Sequence, residues 1–256
     1  MNNEFLNSLV KKEDKAKEAL IYLYQEVRKT NEFLGLKNSP ELKTTYFNLR
    51  KEEVGELFKS TEQQDRVEFL DAVVDGLVVV GYEYYLNDQK PDDVLEEYPE
   101  VYRDLCDRYT IQDNIKDLLE YYDKEQGCEE TLGTLEPLFS QLNINHMQAA
   151  KEVIDSNMSK FPTVDQLLDA IDALVDAPSW WTNEEYFKYQ EWLITSKGRY
   201  TGVYHEIRKD VEGNDRIIWW ATGENKPDDS HLEYKSPKYV KPCTFKNPDF
   251  KNCWLD

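Results

Sequence analysis

The chain is poor in the side chains that build thiol or imidazole chemistry. Its 256 residues include four cysteines and three histidines. Cys106, Cys128, Cys243 and Cys253 are widely spaced, with no CxxC and no nearby histidine pair, which argues against a zinc site or a disulfide framework. His146, His205 and His231 have no serine, cysteine or aspartate at a spacing that suggests a nucleophilic triad. No G-x-x-x-x-G-K-[ST] loop is present, so a P-loop enzyme is excluded. Long apolar runs are also missing. "GLVVVGY" is far shorter than the roughly 18 residues of a membrane span, and "MNNEFLNSLVKKEDKAKEAL" has no cleavable signal pattern. A cytoplasmic protein away from membranes is expected. Positive charge is scarce too: 31 Lys and Arg face 51 Asp and Glu, for a net charge of −20. A nucleic-acid groove needs a basic footprint, so nucleic acid is not the expected partner.

What is abundant is acid on a folding chain. Hydrophobic residues at 40% and aromatics at 13% are enough to bury a core. The acids either hold divalent cations, engage basic partners, or simply solvate the surface.

Apolar spacing predicts a helix over 13–34. Ser39 as cap and Pro40 at the first position open a second helix to about Lys59. Thr61 and Gln64 read as a capping box for a third helix reaching about Leu86. Short connections predict antiparallel neighbours. Farther on, "NIKDLLEYYDKEQGC" reads as helical, "LGTLEPLF" as a break, and "INHMQAAKEVIDSNMSKF" as a helix. Thr163 with Gln166 and Thr182 with Glu185 cap two more. "RYTGVYHEIRKD" and "DRIIWWATG" around "VEGN" form a β-hairpin, and the Pro- and Lys-rich tail "NKPDDSHLEYKSPKYVKPCTFKNPDF" reads as an extended arm.

The stretch "EFLDAVVDGLVVVGY", residues 68–82, carries Glu68, Asp71 and Asp75 within about a 60° arc of one helix, then turns aliphatic. One helix earlier, "KEEVGEL" sets Glu53 and Glu56 on one face with Glu52 beside them. If the two helices pack antiparallel, four or five carboxylates converge and repel by several kcal/mol. Magnesium, with manganese as an alternative, relieves this as a hard cation that takes oxygen ligands. Taken alone, "EEVGE" also fits a solvated face. Asp71 and Asp75 sit among Phe69, Leu70, Val73, Val74 and Leu77, with only Arg66 at helical spacing to pair with them.

The layout "LRKEEVGEL…VEFLDAVVDGLVVVGY" resembles the all-α nucleoside triphosphate pyrophosphohydrolases, the superfamily of MazG, the dimeric dUTPases and phosphoribosyl-ATP pyrophosphohydrolase. Its E-x-x-E is matched by Glu53 and Glu56, and its E-x-x-D by Glu68 and Asp71. The aliphatic run after Asp75 looks like the segment after the family's last aspartate. On that register the preceding ligand position falls on Ala72, so the choice between Asp71 and Asp75 stays open. "LNINHMQAAKEVIDSNMSKF" looks like the fourth helix of phage-type members, and "YKSPKYVKP" like their closing segment. The resemblance implies nucleotide contacts by Asn157 and Lys160 and by Lys235, Lys238 and Tyr239. Lys160 alone also fits a helix C-cap.

The resemblance further implies a mainly α fold, an antiparallel helical bundle forming one catalytic domain over 1–256. Its core spans 14–88, 142–162 and 232–245. Insertions are helical over 89–141 and helices plus a hairpin over 163–230. The implied reaction is Mg²⁺-dependent hydrolysis of a nucleoside triphosphate to monophosphate and pyrophosphate, with Glu52 or Glu53 as base, in a phage-encoded homodimer or homotetramer. The rivals are an acidic interaction protein and a nucleotide-binding sensor on the same scaffold. Trp180, Trp181, Trp219 and Trp220 read as a subsidiary core, with base stacking as the sharper alternative.

Overall fold

Capping chemistry sets the borders of most helices in this computed structural model, which describes residues 3–9, 16–92, 110–122, 124, 128–226 and 231–255. The expectations for residues 13–15, 125–127 and Cys106 lie outside these. Helices α1 (Asn3–Ser8), α2 (Ala16–Leu34), α3 (Pro40–Gln63) and α4 (Arg66–Leu86) come first. They are followed by α5 (Ile111–Tyr121), α6 (Cys128–Gln141), α7 (His146–Met158), α8 (Val164–Asp172) and α9 (Asn183–Thr195). Strands β1 (Tyr200–Thr201), β2 (Tyr204–Lys209), β3 (Asp215–Asn225) and β4 (His231–Tyr239) form one small antiparallel sheet. The fold is mainly helical with this sheet near the C-terminus. No helix among the described residues is long and apolar enough to cross a membrane.

The chain divides into two compact units, one of Met1–Ile154 with Pro248–Asp256 and one of Asp155–Asn247. In the first, Ser39 caps α3 by accepting from the Leu42 amide at 3.1 Å, with Pro40 at the start. α3 runs past Lys59 to Gln63, which corrects the expected capping box at Thr61. Thr61 is buried inside the helix, and its hydroxyl donates to the Leu57 carbonyl at 2.8 Å. Gln64 instead turns the chain in the left-handed region at φ 58°. Asp65 is the true cap of α4, accepting from the Val67 and Glu68 amides at 3.0 and 3.2 Å. A connection this short folds α4 back along α3.

From Phe69 to Leu86, α4 buries Leu70, Val73, Val74, Leu77 and Val80 completely, so it is the central element of this core. Gly81 lets α2 approach. A Cβ there would stand 3.2 Å from Tyr24 Cδ1. α5 starts at Ile111, earlier than the sequence pattern predicts, because Thr110 and Asp113 form a reciprocal capping box.

The expected break at "LGTLEPLF" is also corrected. The segment is helical within α6, with Pro137 inside it. Leu135, Leu138 and Phe139 are buried there, and that burial outweighs the missing proline N–H. The C-terminal tail returns to this unit, where the Asn145 amide donates to the Cys253 carbonyl at 2.7 Å and Leu255 N to Asn143 O at 3.0 Å.

The second unit has its own core. Leu167, Ile171, Ile194, Ile217, Trp219, Ala221 and Val240 pack together, with Trp181, Tyr186, Phe187 and Tyr189 against them. The capping boxes at Thr163/Gln166 and Thr182/Glu185 are present. β2 and β3 form the expected hairpin, Lys209 opposite Asp215. By register, β1 continues along the same edge of β3, interrupted at Gly202 (φ 58°), where a Cβ would run into the Thr222 hydroxyl. Residues 231–239 correct the expected irregular arm. They form β4 on the other side of β3, with a register shift between Ala221 and Gly223. Pro237 is tolerated because β4 lies at the edge of the sheet.

Candidate functional site

Glu52, Glu53 and Glu56 lie on α3, and Glu68, Asp71 and Asp75 on α4. Their environments differ. Glu52, Glu56 and Glu68 are exposed, whereas Glu53, Asp71 and Asp75 are half-buried. Val54 and Leu57, both fully packed, anchor the face of α3 beside Glu53.

The two helices meet closely at Gly76, the residue after Asp75. A Cβ on Gly76 would stand 3.9 Å from Glu53 Cβ and 3.1 Å from Leu135 Cδ1. Gly76 therefore lets the Glu53 stem sit against α4. The consequence is electrostatic. Burial, and then the negative charges of Asp75, Glu56, Glu52 and Asp71, push the Glu53 carboxyl up to about 9. At neutral pH this group keeps its proton, because ionising it would add another negative charge to a poorly hydrated group of acids. Glu68 stands apart in the first turn of α4, where a carboxylate favours the helix N-terminus.

Every donor here is a carboxylate oxygen on a helix, the ligand chemistry of a hard divalent cation. In the arrangement described, no three Asp, Glu, His or Cys side chains among the described residues are gathered closely enough to hold one ion. Carboxylate oxygens on two packed helices are donors of the kind magnesium takes, and side-chain rotation would have to bring them together before they could hold an ion.

The other candidate residues belong to the second unit. Lys160 Nζ donates to Asn157 Oδ1 at 2.6 Å and lies 5.8 Å from the centre of the Phe245 ring. Lys241 covers the same ring at 3.8 Å. Lys238 is exposed on β4 opposite Ala221. Tyr239 is half-buried, its ring 5.4 Å from Phe161 and 6.3 Å from Trp220. Lys235 lies on β4, and its side chain is outside those described. Lys241 and Phe245 were missed by sequence reasoning. The signal for them was the lysine-rich run after β4 in an otherwise acidic chain. Gly76 was missed too, because a glycine before an aliphatic run reads as filler until its neighbour on the facing helix is known.

The histidines play no part in this group. His146 is buried with Nε2 3.0 Å from the Phe139 carbonyl, His205 packs with tilted rings against Phe187 and Trp219, and His231 Nδ1 lies 3.0 Å from Asn225 Oδ1. Trp219 and Trp220 are buried and Trp181 packs on the same core, whereas Trp180 is 69% exposed. Comparison with protein-family models, curated proteins and solved structures finds no match to this chain.

Proposed function

We propose that the chain is a Mg²⁺-dependent nucleoside triphosphate pyrophosphohydrolase of the MazG and dimeric dUTPase type, cleaving between the α- and β-phosphates. The observation that supports this most is Glu53, half-buried against α4 and facing Asp75, Glu56, Glu52 and Asp71 strongly enough to retain a proton to about pH 9. On this reading Mg²⁺, or Mn²⁺, takes the place of that proton. Glu53, Glu56 and Glu68, with Asp71 or Asp75, would hold the ion, which would supply Lewis-acid stabilisation of the phosphate oxygens. Glu52, exposed beside them, is the chain's own candidate to orient the attacking water by accepting its proton. The nucleotide contacts of Asn157, Lys160, Lys235, Lys238 and Tyr239, which belong to the second unit, rest on the family resemblance alone.

A panel of NTPs and dNTPs with Mg²⁺, assayed for pyrophosphate, tests the reaction. Release from at least one nucleotide is expected, and Glu53→Gln should lower it by 10³-fold or more while the fold persists. Full activity in Glu53→Gln would remove the ligand assignment. No pyrophosphate from any nucleotide would leave the second reading, a nucleotide-binding or acidic interaction protein on the same helices. The absence of three gathered ligands among the described residues favours that second reading.

A further inference from the structure

We propose that the aromatic row on α9 is a docking surface for an arginine-rich, extended segment of a partner protein. The proposal goes beyond the nucleotide reading and uses none of its residues. Trp181, at the start of the row, packs its ring 5.2 Å from Tyr186 and 5.5 Å from Tyr189, and Tyr189 lies 5.4 Å from Trp192 at a 32° tilt. The core takes one side of Trp181, Tyr186 and Tyr189. Trp192, at the other end of the row, is 55% exposed, and Trp180, beside Trp181 in the chain, and Leu174 are exposed at 69% and 58%. Two exposed indoles and a leucine within residues 174–192 mark a surface kept for contact.

Charge selects the occupant. Between residues 165 and 192 the chain carries seven carboxylates and one lysine, Lys188. That lysine is engaged by Glu184 at 2.6 Å. Phosphates are repelled by such a rim, which weighs against stacking of a nucleotide on these rings. A second copy of the chain would bring the same negative rim to itself. A guanidinium suits both components, since it stacks on an indole face and pairs in bidentate fashion with a carboxylate. The same unit already uses this pairing internally, with the Arg208 guanidinium 5.9 Å from the Trp220 ring. An extended segment with arginines at alternate positions presents them on one side, where the row lies.

The test uses the full chain and a fluorescein-labelled hexa-arginine peptide at 150 mM salt, read by fluorescence anisotropy. Wild type should bind, and Trp180→Ala/Trp192→Ala should bind at least tenfold more weakly with an unchanged circular dichroism spectrum. Asp176→Asn/Glu191→Gln should weaken binding more than Glu32→Gln/Glu41→Gln, which removes the same charge from the first unit. Equal weakening by the two charge pairs, or full binding by the tryptophan variant, would show attraction by bulk charge alone and overturn the proposal. Self-association of wild type that the tryptophan variant loses, without peptide binding, would assign the surface to a second copy and overturn it as well.

Discussion

The proton on Glu53 makes stability depend on pH with a sign that can be worked out. Its carboxyl lies at about 9 in the folded chain, against the ordinary 4.5. Below pH 4.5 the folded and unfolded states bind the proton equally. Between 4.5 and 9 only the folded state holds it, so unfolding releases a proton and stability falls as pH rises, levelling off above 9. Glu136 acts in the same direction. It is buried, it accepts from the Tyr24 hydroxyl at 2.9 Å, and burial pushes it up to about 7. Denaturant unfolding in metal-free buffer should therefore show a loss of stability from pH 6 to pH 9. Glu53→Gln should flatten part of that slope and stabilise the protein at pH 8 by on the order of 1–2 kcal/mol. If the proposed metal role holds, Mg²⁺ binding to the folded carboxylates should raise the melting temperature of wild type at pH 8 and leave Glu53→Gln unmoved. A variant less stable than wild type at pH 8 would mean that the glutamate is paired with a base, contrary to the environment described.

At the scale of elements, two glycines on neighbouring helices have opposite meanings. A Cβ at Gly81 would meet Tyr24 Cδ1 at 3.2 Å and Val27 Cγ1 at 3.4 Å. The Tyr24 ring cannot swing away, because it is fully buried and its hydroxyl is held by Glu136. Gly81→Val should cost about 1–3 kcal/mol by forcing α2 away from α4. Gly55 lies on the exposed face of α3 with nothing within 4 Å, so Gly55→Ala should stabilise by up to about 1 kcal/mol through helix propensity. Urea denaturation of both variants checks the pair, and a neutral Gly81→Val would mean that the helices are not held this closely. These elements also show what the chain made readable. Ser39, Thr163 and Thr182 announce helix starts because capping is local chemistry. Thr61 misleads because a threonine hydroxyl bonds the preceding turn as readily as it caps the next one. Pro137 misleads because buried neighbours decide whether a helix survives a proline. β4 was hidden by Pro237 and lysines, residues suited to an edge and therefore poor advertisements of a strand. The packing of α4 against α3, with acids on both helices, was legible from spacing and a short turn. Which of their side chains turn toward each other depends on Gly76 and Leu135, and no spacing rule reaches that far.

At the scale of the whole molecule, each of the two units closes its own core, and this carries a prediction about folding. Trp219 is fully buried, with the His205 ring 4.9 Å from it and Phe187 beyond. Around it β3 is hydrogen-bonded on both sides, to β2 and β1 along one edge and to β4 along the other. The unit also ties its own ends together. The Thr244 hydroxyl donates to the Ser159 carbonyl at 2.8 Å, and the Lys246 amide to the Ser159 hydroxyl at 2.9 Å. A core of this composition, with its termini fastened to each other, meets the usual conditions for independent folding. The fragment 155–247 should show near-ultraviolet dichroism from ordered tryptophan and a single cooperative urea transition. Trp219→Ala, which removes about 3–5 kcal/mol from a buried site, should abolish that transition in the fragment. A fragment that lacks near-ultraviolet dichroism, or a Trp219→Ala fragment that melts like wild type, would show that this core depends on the remainder of the chain.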